Sequence, residues 1–188
     1  MIIGLLLVGY FFYQLSAQEL VQKESLDEAV RYIETVQKES KNSATKQQET
    51  EKFDAEYLST FGTLTIPKLN ETLGIVEGAD SDALHKGVGH MQETVYPGQG
   101  EQIILAGHRD TVFRNFDQLK IGDRFIINMP YGEFSYEIKH TKIVSEHDTT
   151  IVGKMGQEVL LVSTCYPFSM IGDSSERFIA YAYPINGL

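Results

Sequence analysis

The chain has 188 residues, and its 16 basic and 26 acidic side chains leave a formal net charge of −10 at pH 7. Hydrophobic residues make up 42% of the composition and charged residues 22%, which is typical of a globular protein and too apolar for a disordered one. The acidic balance argues against a nucleic-acid-binding protein, because such a protein needs a basic face to neutralise phosphates. A single cysteine excludes both an internal disulfide and a cysteine-rich zinc module.

The chain begins with an apolar segment, in which residues 1–13 carry no charged side chain. As an α-helix this run is about 20 Å long, shorter than the roughly 30 Å hydrocarbon core of a bilayer. We interpret residues 1–17 as a membrane anchor that this sequence need not contain in full. A signal-peptide core, with a poor cleavage site at residues 15–17, and a buried helix are the alternatives. The charges do not define the orientation, because the first basic residue, Lys23, follows the run.

Residues 18–60 differ sharply in composition from the segments on either side. Apolar residues recur there at helical spacing, namely Leu26, Ala29, Ile33 and Val36, which predicts one helix with a narrow apolar stripe. The run at residues 41–52 is polar and contains neither Gly nor Pro. We interpret residues 18–60 as a solvated, partly helical spacer that tethers a folded domain. A helix that binds a partner is the alternative.

Residues 61–188 have the pattern of a mainly β domain. Short apolar or alternating runs, rich in β-branched and aromatic residues, end at Gly, Pro, Asn or Asp. The predicted strands are Gly62–Ile66, Thr72–Val76, Gln102–Ala106, Phe125–Met129, Glu133–Lys139, Thr141–Val144, Val159–Ser163 and Phe178–Tyr183. Only Ser81–Lys86 and Thr111–Leu119 resemble short helical turns. Evenly spaced short strands favour a barrel or a sandwich, and the segment is long enough to bury a core without disulfides.

The only cysteine, Cys165, is the most informative residue for chemistry. It follows the most apolar predicted strand, and Tyr166 and Pro167 end that strand, so we expect the thiol at the mouth of the scaffold. A buried, inert cysteine is the alternative, because free cysteines are often buried. A nucleophilic cysteine needs a neighbouring base or cation that controls its thiolate.

His108 and Arg177 are the candidates for that base and that cation. His108 follows the other strongly apolar strand and a glycine, so two strand ends each carry one reactive residue. Arg177 directly precedes the last predicted strand, where a guanidinium can stabilise an oxyanion. A solvated histidine and an arginine paired with Glu176 or Asp173 are the alternatives. Arg109 competes for the cationic role, although on an extended chain it points away from its neighbour His108.

The motifs around these residues, taken in order, resemble those of a known family. The runs AGHRD, LVSTCYP and ERF resemble the sortases, which are cysteine transpeptidases of Gram-positive bacteria. GTLTIPKL and GHMQETVYPGQGEQIILAGHR resemble the first strand of that family and the segment before its histidine, while HRDTVF and TCYPF are most similar to class D. The usual Thr-Leu-x-Thr-Cys run reads LVSTC here, which affects the expectation for fine substrate preference and not for the chemistry.

The resemblance implies a closed, eight-stranded sortase-type β-barrel with short helices, formed by residues 61–188. It also implies a single-pass membrane helix, and an extracytoplasmic location for the spacer and the barrel. Cys165 is then expected to attack the bond after Thr in an LPxTG or LPxTA sorting signal and to form a thioacyl enzyme. His108 is expected to protonate the leaving amine and to activate the acceptor amine, while Arg177 stabilises the oxyanion or holds the substrate. The expected substrate-binding residues are Ser163, Thr164 and Tyr166.

The implied partners are surface proteins that carry the sorting signal, an amine of peptidoglycan or of its lipid-linked precursor, and the bilayer. No cofactor is expected, because a thioester retains the energy needed for transfer to an amine. We predict no metal site, since the histidines are poorly spaced as ligands and no acidic cluster has calcium-binding spacing. A Cys/His peptidase that releases its product to water, and a tethered barrel that only binds, are the alternative functions.

Overall fold

The computed structural model describes residues 2–40, 50–169, 172 and 174–185. A long N-terminal helix, α1 (Ile2–Ser40), precedes a mainly β domain that includes the short helix α2 (Ser81–Lys86). The strands are β1 (Thr60–Ile66), β2 (Glu71–Glu77), β3 (Val88–His90), β4 (Gln102–Ala106), β5 (Arg124–Met129), β6 (Gly132–Ser145), β7 (Val159–Tyr166) and β8 (Glu176–Pro184). Short 3-10 turns occur at Pro67–Leu69, Phe116–Gln118 and Thr149–Ile151.

The strands close into a barrel in the order β1-β2-β3-β4-β7-β8-β6-β5. Two neighbouring pairs, β2 with β3 and β4 with β7, are parallel, and the other pairs are antiparallel. Closure pairs every strand on both sides, so the sheet has no open edge. The predicted mainly β, eight-stranded closed barrel is therefore confirmed, and the sandwich is excluded.

Two strand predictions differ from the structure. The runs Glu133–Lys139 and Thr141–Val144 belong to one long strand, β6, whose register against β8 shifts between Ile138 and His140. An irregularity of this kind interrupts the alternation of side chains, which made one strand look like two. Strand β3 was not predicted, because its three residues are too few to show an alternating pattern.

Of the two helical turns predicted in the barrel domain, one is confirmed. Helix α2 has the predicted bounds, and the Asp80 side chain caps it by accepting hydrogen bonds from the backbone N–H groups of Asp82 and Ala83. The predicted turn at Thr111–Leu119 contains only the short 3-10 segment Phe116–Gln118.

Strands β4, β7 and β8 are buried on both faces, and this explains their nearly continuous apolar sequences. One face of each contributes to the barrel interior, for example through Leu105, Val162 and Ala180. The opposite face, together with Val144 of β6, forms a second apolar cluster with Ile104, Val159, Leu161, Ile179 and Tyr181. The strands that carry the candidate reactive residues are thus held by packing from two sides.

Helix α1 lies against β1 and β2 of the barrel. Ala29 and Ile33 of the predicted apolar stripe are buried together with Ser25, and the other two stripe residues are half-buried. Contact is close at Gly74 of β2, where a Cβ atom would lie 2.7 Å from Oγ of Ser25. One face of this helix therefore packs on the barrel, while other residues of the helix, such as Leu20, are exposed. The assignment of residues 18–60 as a spacer stays a prediction.

The predicted boundary between anchor and spacer has no counterpart in the secondary structure. Helix α1 continues through residue 17 without interruption, and residues 41–49 of the predicted spacer lie outside the described part of the chain. Among the described residues, no helix combines the length and the apolar composition required to cross a bilayer.

Candidate active site

The parallel pairing of β4 with β7 brings His108 and Cys165 to the same end of the barrel. Ala106 is the ladder partner of Ser163, and the backbone N–H of Gly107 donates to the Ser163 carbonyl at 3.1 Å. Parallel strands run in the same direction, so the residues that follow these partners emerge at one edge. The sequence predicted a reactive residue at the end of each strand, and the pairing places the two ends side by side.

Thr164 stabilises the backbone between the ends of β4 and β7 from the interior of the barrel. Its hydroxyl donates to the Gly107 carbonyl at 2.8 Å, and the residue is 2% exposed. Gly107 itself has no room for a side chain, because a Cβ atom there would approach the side chains of Val112 and Phe113 to 2.6 Å. Thr164 was predicted to bind substrate, but the described geometry gives its hydroxyl a partner in the backbone just before His108.

Arg177 is the direct cross-strand partner of Cys165 in the antiparallel β7–β8 ladder. Because side chains alternate along a strand, Cys165 lies on the same side of β7 as Leu161, and Arg177 on the same side of β8 as Ile179. Those two apolar residues belong to the cluster outside the barrel interior. The thiol and the guanidinium therefore share the outer face of the barrel wall.

The Arg177 guanidinium is held by several acceptors. Nη1 donates to the carbonyls of Ser174 at 2.7 Å and Glu176 at 3.0 Å, and Nη2 donates to the Glu146 carboxylate at 3.0 Å. The sequence suggested Glu176 or Asp173 as its carboxylate partner, but Glu176 contributes only its carbonyl and Asp173 lies outside the described residues. Glu146, 31 residues before Arg177 in the chain, gave no local sign of this pairing, which the β6–β8 ladder creates.

His108, Cys165 and Arg177 line one cleft of about 530 Å³. The other lining residues are Arg109, Asp110, Glu146, Gly172 and Ser174. Cys165 is half-buried, and in the described part of the chain neither its thiol nor the His108 ring has a hydrogen-bond partner. The cleft thus combines a thiol, an imidazole and a fixed guanidinium, which are the groups required for acyl transfer through a cysteine.

Ser163 and Tyr166, the other predicted substrate-binding residues, are half-buried and do not line this cleft. The Ser163 carbonyl accepts from Gly107, and the Tyr166 carbonyl accepts from the Ser174 hydroxyl. The Tyr166 ring contacts Phe168 edge-on, with ring centroids 5.5 Å apart. Both residues therefore shape the backbone that surrounds the cleft.

Arg109, the competing cation, is directed differently from Arg177. Nη1 donates to the Pro167 carbonyl at 3.0 Å, and Nη2 donates to the Gly172 carbonyl. The residue is 7% exposed, although part of it borders the cleft. Its terminal nitrogens bind the segment that follows Cys165. Arg177 also binds Ser174 of that segment, but it is in addition the partner of Cys165 across the ladder.

Comparison with known proteins gives one consistent family. A family model described as "Sortase domain" matches residues 64–185. The chain is 42% identical over 181 residues to Sortase D of Bacillus subtilis strain 168, and the match covers 95% of this chain and 91% of that protein.

Solved structures show the same similarity. A Clostridium perfringens Sortase D5 transpeptidase superposes with a TM-score of 0.71 at 26% identity, covering 88% of this chain and 99% of that one. The catalytic domain of B. anthracis SrtD gives a TM-score of 0.61 at 35% identity, covering 72% and 93% of the two chains. These relatives carry the D designation, in agreement with the predicted likeness to class D.

Proposed function

Because the chain belongs to the sortase family of cysteine transpeptidases, we propose that it cleaves an LPxTG or LPxTA sorting signal after Thr. The surface protein that bears the signal is then joined to an amine of peptidoglycan or of its lipid-linked precursor. The observation that carries this proposal is that Cys165, His108 and Arg177 line the same cleft. The cross-strand pairing of Cys165 with Arg177 and the parallel β4–β7 pairing support the same assignment.

In the first half of the reaction, the Cys165 thiolate attacks the carbonyl carbon of the signal's Thr. The C–N bond breaks, and the departing amine takes a proton from the His108 imidazolium. The products are a thioester on Cys165, a neutral His108 and the released C-terminal fragment. Atoms and charge balance, since the thiolate charge is consumed as the imidazolium proton is lost.

In the second half, the acceptor amine attacks the thioester carbon. His108 removes a proton from the attacking nitrogen, the C–S bond breaks, and the thiolate of Cys165 is restored. No cofactor enters, because the thioester retains the acyl energy until the amine arrives. Transfer exceeds hydrolysis when the cleft orients the amine better than it orients water.

Arg177 supplies N–H donors where negative charge develops on the carbonyl oxygen in both halves. Its acceptors on Ser174 and Glu146 hold the guanidinium in place before substrate arrives. A donor that is positioned in advance requires little reorganisation during the reaction, which is the main advantage of an oxyanion site. Thr164 supports the backbone at His108 in this scheme, and Ser163 and Tyr166 shape the strand around the nucleophile.

The experiment that tests this function is intact-mass spectrometry of the full chain in detergent, mixed with LPxTG and LPxTA peptides. The full chain is used because α1 packs on the barrel. We expect a mass gain on Cys165 that converts to a peptide–amine product when diaminopimelate is added. Released peptide acid alone would indicate a hydrolase. The absence of any adduct in a folded chain whose thiol still reacts with a methanethiosulfonate would overturn the proposal.

We further propose that the apolar start of α1 attaches the protein to the cell membrane, with the barrel on the outer side. Residues 1–13 carry no charge, and Tyr10 and Tyr13 are 61% and 70% exposed on the helix, as suits aromatic residues at a membrane interface. Membrane fractions of the producing cell should retain the full chain after carbonate extraction, and a double Leu6→Arg, Val8→Arg variant should be released. Full-length protein recovered in the soluble fraction would contradict this assignment.

A further inference from the structure

Arg109 is a buried cation whose described hydrogen-bond partners include no carboxylate. It is 7% exposed, and its terminal nitrogens donate to two main-chain carbonyls, those of Pro167 and Gly172. Burying a guanidinium is costly unless strong hydrogen bonds replace its water. The partners lie 58 and 63 residues away in the chain, so no local turn of the backbone explains the arrangement.

Both carbonyls belong to the segment between β7 and β8, of which the structure describes residues 167–169, 172, 174 and 175; we call these described residues the β7–β8 loop. This loop connects the strand of Cys165 to the strand of Arg177 and contributes Gly172 and Ser174 to the cleft. Its base is closed by the Ser174 hydroxyl, which donates to the Tyr166 carbonyl. Arg109 bridges the loop at two further points, from the chain segment that carries His108.

The bridge requires an arginine. A planar guanidinium presents several N–H donors in a rigid fork and can bind two separate carbonyls at once. A lysine ammonium is a compact point charge on a flexible stem and cannot hold both carbonyls in the same fixed geometry. The loop conformation is therefore coupled to Arg109 itself and not to positive charge alone.

We propose that Arg109 is a positioning residue that holds the β7–β8 loop in the shape that binds the sorting signal. This inference rests on the proposed function, since it assigns Arg109 to signal binding in the same cleft. Arg109 acts through the loop, so its loss weakens binding of the signal while the thiol of Cys165 keeps its intrinsic reactivity. An arginine that stabilised the oxyanion would instead lower kcat with little change in KM.

The test compares the full chain with Arg109→Met, Arg109→Lys and the control variant Arg114→Met. Arg114 is exposed, and its side chain donates only to the carbonyl of Asp110 in its own turn, within the described residues. Hydrogen–deuterium exchange measures the protection of backbone amides in the β7–β8 loop, and peptide kinetics give KM and kcat. The rate of methanethiosulfonate labelling measures the reactivity of the Cys165 thiol. If Arg109→Met no longer shows a cooperative thermal transition, it is not folded, and the Arg109→Lys variant then provides the test.

For Arg109→Met we expect faster exchange confined to the β7–β8 loop and a KM for the LPxTG peptide raised by about tenfold or more, as for loss of charged hydrogen bonds. Labelling of Cys165 should stay within about twofold of wild type, since no hydrogen bond to the thiol is removed. Arg109→Lys should recover part of the KM, and Arg114→Met should match wild type.

Two results would overturn the inference. Unchanged exchange in the loop of a folded Arg109 variant would show that the two carbonyl contacts do not hold it. A fall in kcat at constant KM would assign Arg109 to the chemical step. If wild type turns over no sorting signal while the loop still responds to Arg109→Met, the proposed function fails and the assignment to signal binding fails with it, leaving Arg109 as a purely structural clamp.

Discussion

Cys165→Ala should abolish formation of the acyl enzyme while the barrel remains folded. The thiol lies on the outer face of β7, outside the clustered core, and it is half-buried with no hydrogen-bond partner among the described residues. Removing one sulfur at such a site leaves little cavity, so the thermal midpoint should change by no more than a few degrees. Intact-mass spectrometry with the LPxTG peptide and a thermal melt measure the two properties.

His108→Gln is the companion variant, because glutamine keeps a polar side chain but cannot exchange a proton near neutral pH. We expect no peptide–amine product from it. A peptide adduct that persists in Cys165→Ala would place the nucleophile elsewhere. Full turnover by His108→Gln would remove the proposed base, and loss of the thermal transition in either variant would show a structural role instead.

Arg177→Ala should lower kcat by about 10²- to 10³-fold, which is the size expected for one oxyanion donor. The guanidinium stands across the ladder from Cys165, and a methyl group there has no donor to replace it. Steady-state kinetics of peptide transfer, together with the rate of thiol labelling, separate loss of catalysis from loss of folding. Arg177→Lys should recover only part of the rate, since an ammonium cannot reproduce the fork.

Two control variants make this result specific. Glu146→Gln keeps an amide oxygen that can accept from Arg177, so it should retain most of the activity if the guanidinium and not its ion pair is required. Arg124→Ala removes an exposed arginine from β5 and should have no effect on kcat. A near-normal rate in Arg177→Ala would transfer the oxyanion role to Arg109 or to backbone N–H groups.

Much of the barrel could be predicted from the sequence, because its strands are long enough to show their own pattern. The apolar runs Gln102–Ala106 and Val159–Ser163 are strands in the structure, and packing on both of their faces accounts for their composition. Strand β3 has three residues and no pattern of its own; only its pairing with β2 and β4 defines it. The roles of Cys165, His108 and Arg177 were proposed from the motifs and stay predictions until the variants are measured.

The docking of α1 was missed for a different physical reason. A narrow apolar stripe predicts a helix with one partner but does not identify the partner. The receiving surface depends on Gly74 and Gly87, which are far from α1 in sequence and lack the side chains that would keep Ser25 away. Absence of a side chain leaves little trace in a pattern of hydrophobicity.

By itself, the sequence determined the type of fold, the family resemblance and the three residue types needed for acyl transfer, because each depends on short runs of neighbouring residues. Only the tertiary structure shows which groups the two candidate arginines contact. Arg177 is the ladder partner of Cys165 in the β7–β8 register, and Arg109 donates to carbonyls 58 and 63 residues away. The direction of a long, flexible side chain is set by the acceptors around it, and those acceptors come together only when distant strands pair.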